Sequence, residues 1–289
     1  MSVNYHTPVM LKETIDLLNV RYGKTYVDCT LGGGGHAKAI LQVLGSGGWV
    51  LGIDQDESAI EAARIRLSEH QNIRCVKDNF RNLKKILSGP VDGILLDLGV
   101  SSHQIDAAER GFSIREDGPL DMRMDCSLPL TAETIVDHYD QEELARIFRE
   151  YGEERFAGRV AKGIILARGT GDIKTTLQLK TIIEKAIPTW KKRESVTRIF
   201  QALRIAVNEE LRSLETILKD AVDLLRPGGR LVVISYHSLE DRLVKHSLRQ
   251  AKEEKKLKVL TKKPLTPSEA EIASNARARS AKLRAGERL

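Results

Sequence analysis

The chain has 289 residues, 41% hydrophobic and 30% charged, enough to bury a full core and ordinary for a globular protein. No stretch approaches the length of a membrane span, and the amino-terminal segment has neither the basic leader nor the apolar run of a signal peptide. Three widely spaced cysteines (Cys29, Cys75, Cys126) show no metal-ligand or redox pattern, so no metal site and a reducing, cytoplasmic setting are expected. The net charge of +6 is uneven: from Arg242 onward fourteen Lys or Arg face five Glu, a net of +9 that leaves −3 for the preceding 241 residues. A basic carboxyl-terminal region is either a footprint for a polyanion or a solvated surface.

In chain order, Thr7 and Pro8 predict a capped helix carrying Leu11, Ile15 and Leu18 at helical spacing. "KTYVDC" reads as a strand, "LGGGGH" as a loop, and the segment near 36–44 as a helix. "GWVLGID" is a second strand, with Asp56 opening the helix "ESAIEAARIRLSEH". "NIRCVK" and "VDGILLDL" are further strands, with a helix over "RNLKKIL" between them. This alternation predicts a parallel sheet covered by helices on both faces.

After Asp97 the period is lost. "ERGFSIREDGPLDMRMD" reads either as a linker or as a lid. Helices follow over "QEELARIFREYG", capped by Asp140 with Glu143 in a capping box, then "ERFAGRVAKGIILAR" and "TLQLKTIIEKAI". A long helix is expected from Thr197 towards Leu225, then a turn at "RPGG", the strand "RLVVISY" and a helix "SLEDRLVKHSLRQ" capped by Ser238 with Asp241 at its third position. "KKLKVLT" and "SAKLRAGERL" are expected as two edge strands. The expected fold is α/β: a Rossmann-like core over 1–105 and 201–289, interrupted by a helical insert over 106–200.

Ligands of open α/β sheets bind beyond the carboxyl ends of the strands. The glycines after the first strand allow a tight turn and close approach of a ligand, and Asp54 ends the next strand where it can accept hydrogen bonds from ribose hydroxyls. The bland alternative is a turn followed by a helix-capping acid. A pyrophosphate would favour the exposed amides of a helix start, whereas S-adenosylmethionine has ribose and adenine without phosphate. Phe80 either flanks an adenine or packs in the core. Asp97, with the Leu98 carbonyl, is placed to accept N–H bonds from an exocyclic amine, or simply to cap or bind the cofactor. Arg198, Gln201, Arg204 and Asn208 form one polar helical face, which meets RNA or is solvated. His237 stands at the crevice end of the "VVISYHS" strand.

Taken together, the runs "HTPVML", "DCTLGGGGH", "DGILLDLGVSS", "RGFS", "DGPLDMRMD", "YGEERFA", "TRIFQALRI", "PGGRLVVIS", "HSLEDRLVK" and "RARS" span nearly the whole chain. In this order they resemble the bacterial small-subunit rRNA cytosine-N4 methyltransferases of the RsmH (MraW) type. The resemblance implies a class I S-adenosylmethionine-dependent methyltransferase with an inserted helical domain for substrate recognition. It implies methylation of a cytidine amine in the decoding (P-site) region of 16S rRNA, within the small (30S) subunit and away from membranes, with a homodimer as a candidate assembly. It carries cofactor binding onto Gly34, Gly35, His36, Asp54, Phe80, Asp97 and Gln104; the reading of the residues themselves adds Asp97 as the catalytic candidate and Arg198, Arg204 and His237 as RNA-contact candidates. Three positions depart from the pattern: His103 and Ala276 replace proline, and Tyr236 replaces phenylalanine. Two rivals remain: an enzyme of the same fold acting on DNA or a small molecule, and an rRNA-binding assembly factor with a vestigial pocket. A nicotinamide oxidoreductase is disfavoured by His36.

Overall fold

The computed structural model describes residues 8–169 and 171–289. The chain forms two compact units, one from residues Met1–Gly99 and Leu211–Leu289, the other from Val100–Glu210.

The first unit is built on seven strands: β1 (Thr25–Asp28), β2 (Trp49–Asp54), β3 (Ile73–Lys77), β4 (Val91–Asp97), β5 (Leu225–Ser235), β6 (Leu257–Val259) and β7 (Lys282–Arg288). Their order is β3-β2-β1-β4-β5-β7-β6. The first five are parallel, while β7 runs antiparallel to both β5 and β6. α1 (Leu11–Leu18) precedes β1, and between the early strands lie α2 (Gly35–Leu44), α3 (Glu57–Arg66) and the short α4 (Leu83–Ile86). Successive strand residues supply opposite faces. Tyr26, Leu95, Val232 and Ile234 pack with Leu18, Ile40 and Ile60, whereas Val27, Ile94, Leu96 and Val233 pack with Leu83 and with Leu214, Ile217, Val244 and Leu248. The near-continuous apolar strands of the sequence are thus the signature of a sheet buried on both sides.

The second unit holds α5 (Ser102–Asp106), α6 (Ala132–His138), α7 (Gln141–Glu150), α8 (Ala157–Arg168), α9 (Thr176–Ala186) and α10 (Lys192–Asn208). Its core gathers Leu144, Phe148, Val160, Ile164, Leu179, Ile183, Ile199 and Leu203, the inward stripes of α7 to α10. The predicted capping box at Asp140 and Glu143 is present, with reciprocal bonds of 2.8 and 3.0 Å. The "ERGFSIREDGPLDMRMD" segment has no long element. It is pinned by side chains: Asn208 accepts the Met124 N–H and donates to the Met122 carbonyl, each at 2.8 Å. The Arg110 guanidinium donates to the carbonyls of Arg123 and Met124.

Four expectations are corrected. The helix predicted from Thr197 to Leu225 is two helices, because Glu209 takes a left-handed conformation (φ 49°) that ends α10 before α11 (Glu210–Leu224) begins. The compact units therefore meet at Gly99/Val100 and Glu210/Leu211, with α10 continuous through residue 200. The helix α12 (Ser238–Glu253) is capped by His237, not Ser238: His237 is extended (φ −137°) and Glu240 completes the capping box. "SAKLRAGERL" is not at an edge, since β7 lies between β5 and β6, and Leu283, Arg284 and Ala285 are all buried. Arg284 tolerates this because its guanidinium meets Asp241 at 2.6 and 3.3 Å. The basic carboxyl-terminal region is therefore folded, as α12, β6, the short α13 (Glu269–Ser274) and β7. Finally, α1 starts at Leu11 after a left-handed Met10 (φ 50°) whose N–H bonds Glu271 at 2.7 Å; Thr7, the predicted cap, lies outside the described residues.

Candidate active site

Three parallel strands end in carboxylates: β1 in Asp28, β2 in Asp54 and β4 in Asp97. Each terminates its strand at the sheet's rim, where Asp28 is buried and Asp54 and Asp97 are half-buried. Burial raises all three above the usual carboxylate range, Asp28 and Asp54 to about 6 and Asp97 to about 7. For Asp28, the charges of Asp97 and Asp54 add to the rise.

The glycine loop follows β1. Gly32 (φ 49°) and Gly34 (φ 75°) occupy the left-handed region, and Gly34 is the cap of α2. A Cβ on Gly34 would come within 2.9 Å of Leu67, and one on Gly35 would collide with Pro8. The loop is tied to the second strand, because the Gly32 N–H donates to Asp54 Oδ2 at 2.8 Å while Asp54 Oδ1 accepts the Asp56 N–H at 3.0 Å. Two backbone amides thus fix the Asp54 carboxylate, and each oxygen keeps acceptor capacity.

His36 is 5% exposed in the first turn of α2. Its Nε2 faces the Val9 carbonyl at 3.1 Å and must carry the proton, because a carbonyl only accepts. Burial lowers its pKa, leaving Nδ1 as a lone pair 3.6 Å from Asp97 Oδ2. On the other side of that carboxyl group, the Tyr236 hydroxyl donates to Asp97 Oδ1 at 2.8 Å. The Asp97 N–H donates to Thr30 Oγ1 at 2.6 Å, and the Leu98 N–H to the Ile234 carbonyl. Burial, with the neighbouring Asp97 charge, pushes the Tyr236 phenol well above its ordinary pKa, so it stays a donor.

Phe80 follows β3 in a single turn capped by Asn79, half-buried against Leu83 and its neighbours. Gln104 belongs to the other unit, where it forms a capping box with Ser101: its side-chain oxygen accepts the Ser101 N–H at 2.9 Å. The departure at His103 falls within α5, which it does not break. The departure at Ala276 opens a single turn that Asn275 caps. His237 caps α12, with Nε2 3.2 Å from Glu240 Oε1.

The polar face foreseen on α10 divides. Arg204 makes a two-point ion pair with Glu210, at 2.8 and 2.9 Å, and its side chain is 15% exposed. Asn208 is buried and serves the loop at Met122–Met124. Gln201 donates to the Tyr151 carbonyl. Arg198 alone of the four has a side chain 43% exposed, with its Nη1 4.0 Å from Glu154.

Sequence reasoning passed over Asp28 and Thr30. Asp28 is 1% exposed; Oδ1 accepts the Thr30 N–H at 3.2 Å and Oδ2 has no hydrogen-bond partner among the described residues. The available signal was a lone acid closing "TYVD" four residues before the first of the glycines. An orphaned buried acceptor beside two more carboxylates suits a ligand that brings N–H donors and positive charge, and repels a pyrophosphate. S-adenosylmethionine, with an ammonium, a sulfonium and a ribose diol, fits this set of acceptors; the pyrophosphate of a nicotinamide dinucleotide does not.

The chain matches the MraW methylase family over residues 3–289. It is 48% identical to the ribosomal RNA small subunit methyltransferase H of Halothermothrix orenii, with 98% of both chains covered. It is 49% identical to the protein of that name from Carboxydothermus hydrogenoformans, again over 98% of both. A crystal structure provisionally described as an rRNA methylase of Clostridium thermocellum shares its fold, with a TM-score of 0.50, 15% identity and 98% of both chains covered. With a strand order that places an antiparallel β7 beside β5, and with S-adenosylmethionine as its methyl donor, the chain is a class I methyltransferase and belongs to the MraW methylase family.

Proposed function

We propose that the protein methylates the exocyclic N4 amine of a cytidine in the decoding (P-site) region of 16S rRNA, acting on the small ribosomal subunit. The observation that carries this reading is the Asp97 carboxyl group at the end of β4, gripped by Tyr236 and left partly open, with a pKa raised to about 7. The relatives' name supports the choice of rRNA as substrate.

A cytosine amine is a weak nucleophile because its lone pair is delocalised into the ring. When bound, S-adenosylmethionine supplies an electrophilic methyl group on a sulfonium. Asp97 accepts one amine N–H and the Leu98 carbonyl the other, which localises the lone pair and aims it. As the N–C bond forms, the methyl–sulfur bond would break with its electron pair left on sulfur as a neutral thioether, the nitrogen gives up one proton, and Asp97 takes it. A carboxylate with a pKa near 7 is matched to accept that proton and return it to water. Asp54 accepts the ribose hydroxyls, Gly34, Gly35 and His36 form the floor and Phe80 flanks the adenine in this reading, while Gln104, in the other unit, is assigned on the resemblance alone. The target cytidine is flipped out of its stack to reach the site, and Arg198 holds phosphate, so that binding weakens with salt.

The test is methyl transfer from labelled S-adenosylmethionine, offered in parallel to unmethylated small subunits, naked 16S rRNA and DNA. Label on a cytidine amine of the rRNA is the expected result. Label on DNA alone, or on nothing while the cofactor still binds, would overturn the reading.

A further inference from the structure

The "YGEERFA" segment of the second unit is unused by the chemistry above, yet it builds a cavity of about 310 Å³. Its walls are Glu154, Arg155 and Phe156 from that segment, Trp190 and Lys191 from the turn after α9, and Arg198 from α10. Trp190 is 80% exposed, an unusual state for the largest apolar side chain. Glu154 is the reverse: a carboxylate only 3% exposed. Its Oε1 accepts the Phe156 N–H at 2.8 Å, while Oε2 has no hydrogen-bond partner among the described residues, the nearest cation being Arg198 Nη1 at 4.0 Å. The segment reaches this position through a left-handed Glu153 (φ 48°) and through Gly152, where a Cβ would press within 2.7 and 2.8 Å of the Phe148 and Arg198 carbonyls. The placement is built by the backbone.

From these features we infer a second RNA-contact site, in which one unstacked nucleotide of the substrate stacks its base on Trp190, donates a base N–H to Glu154 Oε2, and sets its phosphates against Arg155, Lys191 and Arg198. The three groups match three parts of a nucleotide. An exposed indole accepts any flat base. A buried orphan acceptor rewards an N–H donor that water does not reach. Two arginines and a lysine at the rim supply the phosphate contacts. A purely acidic ligand would leave Glu154 repelled, and a purely apolar one would strand it. The inference rests on the reading of the protein as an rRNA methyltransferase and adds where that RNA is held.

Trp190→Ala, Trp190→Phe and Glu154→Gln are compared with the unaltered protein in methyl transfer to unmethylated small subunits. Trp190→Ala is expected to raise KM for subunits about tenfold, as loss of one stacked base does, with kcat and the affinity for S-adenosylmethionine unchanged. Trp190→Phe keeps a stacking ring and recovers most of the loss. Glu154→Gln puts an amide NH2 where the acceptor was, since the Phe156 N–H retains the oxygen, and it too raises KM. A KM within twofold of the unaltered protein for Trp190→Ala would overturn the inference. Independently, Trp49→Phe leaves Trp190 as the one tryptophan, and its fluorescence is expected to be quenched by a single-stranded oligocytidylate but not by cytidine monophosphate at equal nucleotide concentration. Equal quenching by both would make the cavity a free-nucleotide site and sink the proposal. If no RNA accepts label while the oligonucleotide still quenches Trp190, the functional reading fails and the site stands.

Discussion

The Tyr236 hydroxyl lies 2.8 Å from Asp97 Oδ1, while His36 Nδ1 approaches the other oxygen to 3.6 Å. The first contact is a hydrogen bond and the second is beyond hydrogen-bond reach. The carboxyl group is therefore oriented by the phenol, at a position where the resemblance implies a phenylalanine. Burial raises the pKa of Asp97, and the Tyr236 bond pulls it back. Tyr236→Phe should remove that pull, so the acid limb of the kcat/KM profile should move to higher pH. Profiles of the two proteins between pH 5 and 9 decide this; coincident limbs would show that Tyr236 does not tune Asp97.

Asp97→Asn keeps an acceptor for Tyr236 but cannot take a proton. Turnover should fall by about 100-fold or more, and the acid limb near pH 7 should vanish. Stability should move the other way. The native pKa of Asp97 is raised to about 7 from 3.8, so the folded state binds more protons than the unfolded state between those values. Stability contributed by this group therefore falls as pH rises through that window. The melting temperature of Asp97→Asn should match the unaltered protein near pH 4 and exceed it by pH 7.5.

Asp54 accepts two backbone N–H bonds and, in the proposed function, the ribose hydroxyls as well. Asp54→Ala should weaken S-adenosylmethionine binding by about 10- to 100-fold, the loss expected for hydrogen bonds to a charged group. Calorimetric titration of the cofactor measures it, and unchanged affinity would remove Asp54 from the site.

Gly34 combines a positive φ with a neighbour, Leu67, 2.9 Å from where a Cβ would stand. Gly34→Ala should cost about 1–2 kcal/mol for the conformation alone, with the contact adding to it. Thermal melting of the protein without cofactor separates this loss from any effect on binding.

Asn208 makes three bonds at 2.8 Å, to the Met124 N–H and to the carbonyls of Met122 and Arg204. Asn208→Ala should cost about 2 kcal/mol or more, since buried groups are left unpaired. Hydrogen exchange should accelerate at Met124 first, where the amide loses its acceptor.

The alternation of strand and helix to Asp97, the glycine loop, Asp54 and Asp97 were legible because each obeys a local rule: apolar runs for buried strands, acids at their ends. The capping box at Asp140 was legible for the same reason. What escaped depended on distant partners. Glu209 breaks a helix that its own sequence continues, and only its left-handed backbone reveals the stop. Arg204 and Asn208 sit on a polar face at regular spacing, but Glu210 and the Met122–Met124 backbone turn them to structural use. The two edge strands were half right: β6 is an edge, whereas β7 carries a buried arginine whose partner, Asp241, is 43 residues away. The basic region looked like a tail because its ion pairs are equally remote, such as Arg230 with Glu287.

The position of β7 has a consequence for how the molecule is made. Val232 and Val233 pair with Ala285 and Arg284, so one edge of the five-strand parallel sheet is uncovered until β7 has left the ribosome. The unit with the glycine loop and the three strand-end carboxylates joins residues 1–99 to residues 211–289, whereas the other is one uninterrupted stretch. During synthesis, the contiguous helical unit can therefore mature while the sheet unit still waits for β6 and β7. A nascent chain halted before residue 282 would hold every residue of the proposed cofactor pocket and still lack the strand that seals the sheet.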